Sequence, residues 1–157
     1  MNTPAQIAKH LREVYFGGNW TSSNLRDNLQ DVSWQHATTQ LYGLNTIATL
    51  FFHLHYYVRA VTQVLEGGTL DAKDKYSFAH PPIESQEDWE GMQAAAWSEA
   101  GKFAALIEKL SEEMLGQDFS DPKYGHYYRN LQGLIEHTHY HLGQIVLLKK
   151  ILNQPSS

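Results

Sequence analysis

A histidine-rich segment near the C-terminus contains the residues best suited to chemistry. His137 and His141 are four residues apart, so on a helix they lie one turn apart and about 40° apart around the axis. This spacing allows two imidazoles to bind one metal ion. His139 points to the opposite side of such a helix, so the three side chains cannot share one ion. The pair therefore predicts a metal site whose third ligand comes from another helix.

A second pair of histidines, His53 and His55, lies in a more apolar stretch. On a helix, His53 falls on one flank of the apolar stripe, beside Tyr57, and His55 falls on the other flank, beside Arg59. Periodicity barely separates the two candidates, although it slightly favours His53. The remaining histidines stand alone, and we expect ordinary boundary or surface roles for them: His10, His36, His80 and His126.

The composition excludes several functional classes. The chain of 157 residues carries 12 Lys plus Arg against 17 Asp plus Glu, a net charge of -5, which disfavours nucleic-acid binding because that role needs a basic face. It has no cysteine, which excludes disulfides, thiolate nucleophiles and iron–sulfur clusters. The 9 histidines are the unusual feature of the composition.

The hydrophobic content of 42% and charged content of 18% are typical of a globular protein. We expect a single domain over residues 1–157. The first residues lack a positive start followed by an apolar block, and no apolar run is long enough for a membrane span. A soluble, cytoplasmic protein without a membrane partner is therefore expected.

Helical patterns dominate the chain and predict an all-α fold. Caps, glycines and apolar periodicity indicate short helices at 24–30 and 33–43, and four long helices at 3–16, 45–66, 85–115 and 123–152. The segment 69–84 is predicted to be a long loop. Four long helices favour an antiparallel four-helix bundle, with a long connection between its first two main helices.

Two segments resemble the signatures of one known superfamily. Residues 137–145 match the last-helix pattern of the DinB/YfiT-like superfamily, in which His, three residues, His, two residues and Gln precede an apolar stretch. Residues 47–54 resemble its second-helix pattern, an apolar run that ends in His-Leu. The helix order and the long first connection also match, so the resemblance covers nearly the whole chain.

The resemblance implies a DinB-like four-helix bundle that holds a divalent metal at one end through His53, His137 and His141. It thereby selects His53 over His55. It also implies a homodimer, and a range of activities that includes metal-dependent thiol transfer, isomerisation and hydrolysis. His55 and His139 are outside the pattern, and we expect them either to tune the pocket or to be exposed.

Three neutral imidazoles would leave a bound ion its full charge and an open position. That position can hold a water with a pKa near 7 or the thiolate of a low-molecular-weight thiol, so we expect a hydrolase or a thiol-S-transferase acting on a small molecule. Zinc is the first choice of metal and nickel the second. No catalytic residue is assigned. The alternative is a non-catalytic bundle that binds a ligand or partner, with a structural metal or structural histidines.

Three further side chains are candidates for supporting the site. Gln144, one turn past His141, is expected to orient that ligand. Tyr57 and Tyr140 are expected to supply polar groups to the pocket. Glu136 adjoins a ligand in sequence but is expected to point off the face of the site.

Overall fold

The computed structural model describes residues 2–155, and within them the chain is all α-helical, without a strand. The predicted domain span of 1–157 includes Met1 and positions 156–157, which lie outside the described residues. The α-helices are α1 (Thr3–Phe16), α2 (Leu25–Leu29), α3 (Trp34–Thr38), α4 (Ile47–Leu65), α5 (Asp74–Ser77), α6 (Gln86–Glu108), α7 (Glu112–Leu115) and α8 (Tyr127–Leu152).

Side-chain caps set the beginnings of the long helices. The α1 cap is Asn2, which accepts a hydrogen bond from the Ala5 amide, so the helix starts one residue from the predicted Thr3 cap. Thr46 caps α4 in the same way, through the Thr49 amide. Ser85 caps α6 as its spacing to Asp88 predicts. Each cap satisfies an amide that the first turn leaves free.

Several predicted boundaries differ from the structure. The short helix predicted over 33–43 ends at Thr38, because Thr39 has an extended backbone. The helix predicted over 85–115 is two helices, because α6 ends at Glu108 and the Ser111 side chain then caps α7. The helix predicted from residue 123 begins at Tyr127, because Gly125 has a φ of 76° and separates α8 from a 3-10 turn. The predicted loop 69–84 contains α5.

The four longest helices share one hydrophobic core. α1 packs against α6 and α8, and α4 also packs against α6 and α8. The fully buried side chains at the centre include Leu11, Phe51, Leu54, Phe103 and Ile145. Within the described residues, no helix is both long and apolar enough to cross a membrane. The packing of α4 along α8 is the contact that positions the histidines.

Candidate metal centre

Three histidines from α4 and α8 converge on one point. The Nε2 atom of His137 is 3.1 Å from His53 Nε2 and 3.0 Å from His141 Nε2. One ring nitrogen of each residue lies within 4.8 Å of the other two. His53 and His141 are buried and His137 is half-buried. The structure thus brings together the three histidines proposed from the sequence.

The spacing of these nitrogens suits a metal ion. Two imidazoles bound to zinc at about 2.0–2.1 Å, with an angle between about 90° and 110°, place their nitrogens about 2.9–3.4 Å apart. The two measured separations, 3.0 and 3.1 Å, fall inside that range. Both pairs that involve His137 are therefore spaced as ligands of one divalent ion.

Hydrogen bonds on the outer ring nitrogens orient two of the imidazoles. The Ser77 hydroxyl donates to the Asp74 carbonyl at 2.6 Å, so it accepts from His53 Nδ1 at 2.7 Å. His141 Nδ1 donates to the Gln144 side-chain oxygen, also at 2.7 Å. An imidazole with its proton on Nδ1 keeps a lone pair on Nε2. Both lone pairs consequently face the centre of the cluster.

The environment also favours the neutral imidazoles that bind metals. Burial lowers the pKa of His53, and the neighbouring His141 lowers it further. Burial, followed by the proximity of His141 and His53, lowers the pKa of His137 to about 4. A protonated imidazole cannot donate to a metal ion. Around neutral pH, the pKa values of His53 and His137 therefore keep these two side chains ready for coordination.

Aromatic rings enclose the His53 side of the cluster. Phe78 stacks on His53 with ring centroids 4.0 Å apart and an angle of 12° between the planes. Tyr57 meets His53 and His137 edge-on, at 5.4 and 5.3 Å. The Tyr57 hydroxyl donates to Asp74 Oδ1 at 2.5 Å. Burial and this bond raise the pKa of Tyr57 to about 12, so the phenol stays protonated.

Gln144, Tyr140 and Glu136 differ in how closely they approach the histidine cluster. Gln144 contacts the outer nitrogen of His141, in the position expected for an orienting group. Tyr140 meets the His141 ring edge-on at 4.9 Å but is 65% exposed. Glu136 is exposed and lines the cavity beside the cluster, but it is not one of the groups that converge on the candidate metal position.

The contribution of α5 to the site was not predicted from the sequence. Asp74, Ser77 and Phe78 all come from the segment predicted to be a loop, yet they bond or stack on His53 and Tyr57. Four helical residues are too few to show a periodic pattern. The nearest signal was an Asp and a Ser three residues apart, which is common in ordinary turns.

A cavity of about 950 Å³ opens beside the cluster. Its volume is at the upper end of the range usual for small-molecule sites. The residues that matter for its chemistry are His53, Tyr57, Asp74, Arg129, Glu136 and His137.

His55 belongs to a separate buried network. Tyr15 donates to His55 Nδ1 at 3.0 Å, and His55 Nε2 donates to Glu99 at 2.7 Å. Arg59 also binds Glu99, at 2.6 Å. The hydrogen bond from His55, assisted by Arg59, lowers the pKa of Glu99 to about 2. His55 is therefore neither exposed nor in the pocket, contrary to both expectations for it.

His139 lies away from the three-histidine cluster. It is half-buried and lines a small cleft of about 160 Å³ with His10 and Trp20. This position agrees with its predicted direction on the opposite side of α8.

The chain was compared with protein-family models, curated proteins and solved structures, and none matches it. The fold and the site define its class as a helical protein with a convergent cluster of three histidines. Its function is accordingly inferred from that cluster and from the cavity beside it.

Proposed function

We propose that this chain is a divalent-metal-dependent enzyme of the DinB-like type, in which His53, His137 and His141 hold the ion. The observation that carries the proposal is the convergence of three ring nitrogens, two of which have their lone pairs directed inward by Ser77 and Gln144. The cyclic contacts among the four long helices support an antiparallel four-helix bundle of this type.

Two reaction classes suit this arrangement: hydrolysis, and S-transfer from a low-molecular-weight thiol to a small molecule. A bound divalent ion would supply a Lewis-acid position for a water or a thiolate. Ser77 and Gln144 hold the imidazoles in the required tautomer, and Asp74 holds Tyr57 at the edge of the cavity. The all-nitrogen donor set favours zinc, with nickel second.

Elemental analysis tests the metal site directly. Protein purified without a metal-affinity tag is expected to contain about one divalent ion per chain. His53→Ala, His137→Ala and His141→Ala should each lose it. His139→Ala is the matched control, because His139 lies on the same helix between two proposed ligands yet faces another cleft. Circular dichroism should confirm that every variant remains helical.

Two results would overturn the metal site. One is wild-type protein that takes up neither zinc nor nickel during dialysis, and the other is a normal metal content in all three variants. The histidines would then be packing residues, and the alternative of a non-catalytic bundle that binds a ligand or partner would be favoured.

The reaction class is tested separately on metal-loaded protein. Hydrolysis of 4-nitrophenyl acetate and conjugation of cysteine to 1-chloro-2,4-dinitrobenzene are suitable first assays for the two classes. The expected result is metal-dependent turnover in one assay that the three histidine variants abolish. A broad panel of esters, amides and electrophiles that gives no turnover with the ion bound would make the metal structural.

A further inference from the structure

Arg129 is a cation in the same cavity as the candidate metal ligands. It lines the cavity together with His53 and His137. It precedes His137 by eight residues on α8, which is about 12 Å along the helix axis. Its side chain is exposed and forms no ion pair with any residue in the described range 2–155. The cavity therefore has a free positive charge far from the histidines.

Helix stability does not explain this arginine. Arg129 lies in the first turn of α8, which contains no acidic residue. A positive side chain in that turn opposes the helix dipole, whose N-terminal end is itself positive.

The absence of a side chain at Gly125 leaves the space that the Arg129 side chain occupies. A Cβ atom on Gly125 would lie 2.9 Å from Arg129 Cδ, closer than van der Waals contact allows. Gly125 also has a φ of 76°, which disfavours any larger residue. The stem of Arg129 thus packs over a glycine that has no side chain to displace it.

The negative groups of the cavity do not neutralise Arg129. Asp74 accepts the hydrogen bond from Tyr57, near the histidines. Glu136 follows Arg129 by seven residues, so the two lie on one face of α8 about 10.5 Å apart along the axis. They form no ion pair with each other in the structure. The positive and negative charges consequently occupy different ends of the cavity.

We propose that Arg129 binds an oxyanion, a carboxylate or a phosphate, at one end of an elongated substrate whose other end reaches the three histidines. This proposal rests on the proposed metal site. Guanidinium groups bind both oxyanions through paired hydrogen bonds. Apolar side chains, including Leu70, Phe119 and Leu134, also line this cavity and suit an apolar substrate body.

Matched zinc-binding probes test the role of Arg129. Zinc-loaded protein is titrated calorimetrically with suberic acid monohydroxamate and with its terminal amide, which differ only in the negative charge. The acid should bind wild-type protein about fivefold more tightly, the size expected for a partly exposed ion pair. In Arg129→Gln that preference should disappear. Lys150→Gln is the control, because Lys150 is an exposed cation near the other end of α8 and should leave the preference intact.

A phosphonate of the same length identifies the preferred oxyanion. Tighter binding of the phosphonate than of the carboxylate by wild-type protein, lost in Arg129→Gln, assigns a phosphate. The opposite order assigns a carboxylate.

The failures of the two proposals are distinguishable. Equal binding of acid and amide to protein that holds about one zinc would overturn the role of Arg129 and leave the metal site standing. A preference for the acid that survives in Arg129→Gln would have the same meaning. If wild-type protein holds no zinc, both proposals fall.

Discussion

Replacement of Ser77 by alanine is the sharpest test of how the structure prepares the site. Ser77 is fully buried, and its hydroxyl accepts the Nδ1 proton of His53 at 2.7 Å. The substitution leaves that N–H without a partner where water has little access, since His53 is only 5% exposed. The imidazole can avoid this by moving its proton to Nε2, but the inward lone pair is then lost.

The expected loss of zinc affinity in Ser77→Ala can be estimated for either response of the imidazole. An unpaired buried donor costs about 1–3 kcal/mol, and loss of a partner to a metal-bound histidine weakens metal binding by about 10- to 100-fold. We expect Ser77→Ala to raise the zinc Kd within that range. Gln144→Ala should have a smaller effect, at most about tenfold, because Gln144 is only half-buried and water can replace its contact with His141.

Competition with a chromophoric zinc chelator at pH 7.5 measures these affinities. Ser85→Ala is the matched control, because it removes the serine that caps α6. That variant should lose about 1 kcal/mol of stability and keep the wild-type zinc affinity. An unchanged Kd in folded Ser77→Ala would refute the reasoning, since it would show that the hydrogen bond to His53 does not prepare the ligand.

Three other predictions concern stability. The pKa of His137 is about 4 in the folded chain and about 6.5 when unfolded, so the unfolded chain binds more protons between these values. The metal-free protein should therefore lose stability as the pH falls from 6.5 towards 4. Urea unfolding at pH 7 and pH 5 should show this, with a smaller difference in His137→Gln. Tyr15→Phe removes the buried bond to His55 and should cost about 1–2 kcal/mol in the same assay with unchanged metal content; a loss of metal would contradict the separation of the two networks. Gly125→Ala should cost about 1 kcal/mol or more in thermal unfolding, because its φ of 76° disfavours a residue with a Cβ atom, and a wild-type Tm would count against that backbone conformation.

Within α8, the relation between His137 and His141 was predictable because helical periodicity alone determines it. The choice between His53 and His55 could not be predicted from periodicity alone, because both side chains are buried and face different neighbouring helices. Both are buried, at 5% and 3% exposure. His53 faces α8, whereas His55 bonds to Tyr15 of α1 and Glu99 of α6. A central helix with neighbours on several sides has no single apolar stripe, so burial cannot distinguish a ligand from a structural histidine.

The contacts that α5 makes could not be predicted from local patterns. Ser77 is 24 residues from His53 in the chain, and its role depends on where the connection between α4 and α6 folds back. The helix ends missed near residues 108 and 125 have a different, local origin. Each depends on one local group, the Ser111 hydroxyl or the Gly125 backbone, within a segment whose wider pattern remains helical.

The contact between the rings of His53 and His137 joins positions 84 residues apart in the chain. An ion held by both residues would close a loop that spans more than half of the sequence. In the chain-entropy treatment of cross-links, a loop of that length corresponds to about 4–5 kcal/mol of stabilisation at 25 °C. The chain has no cysteine, so this metal-mediated cross-link would have the role that a disulfide has in other proteins. It would form and break with the supply of metal and not with the redox state.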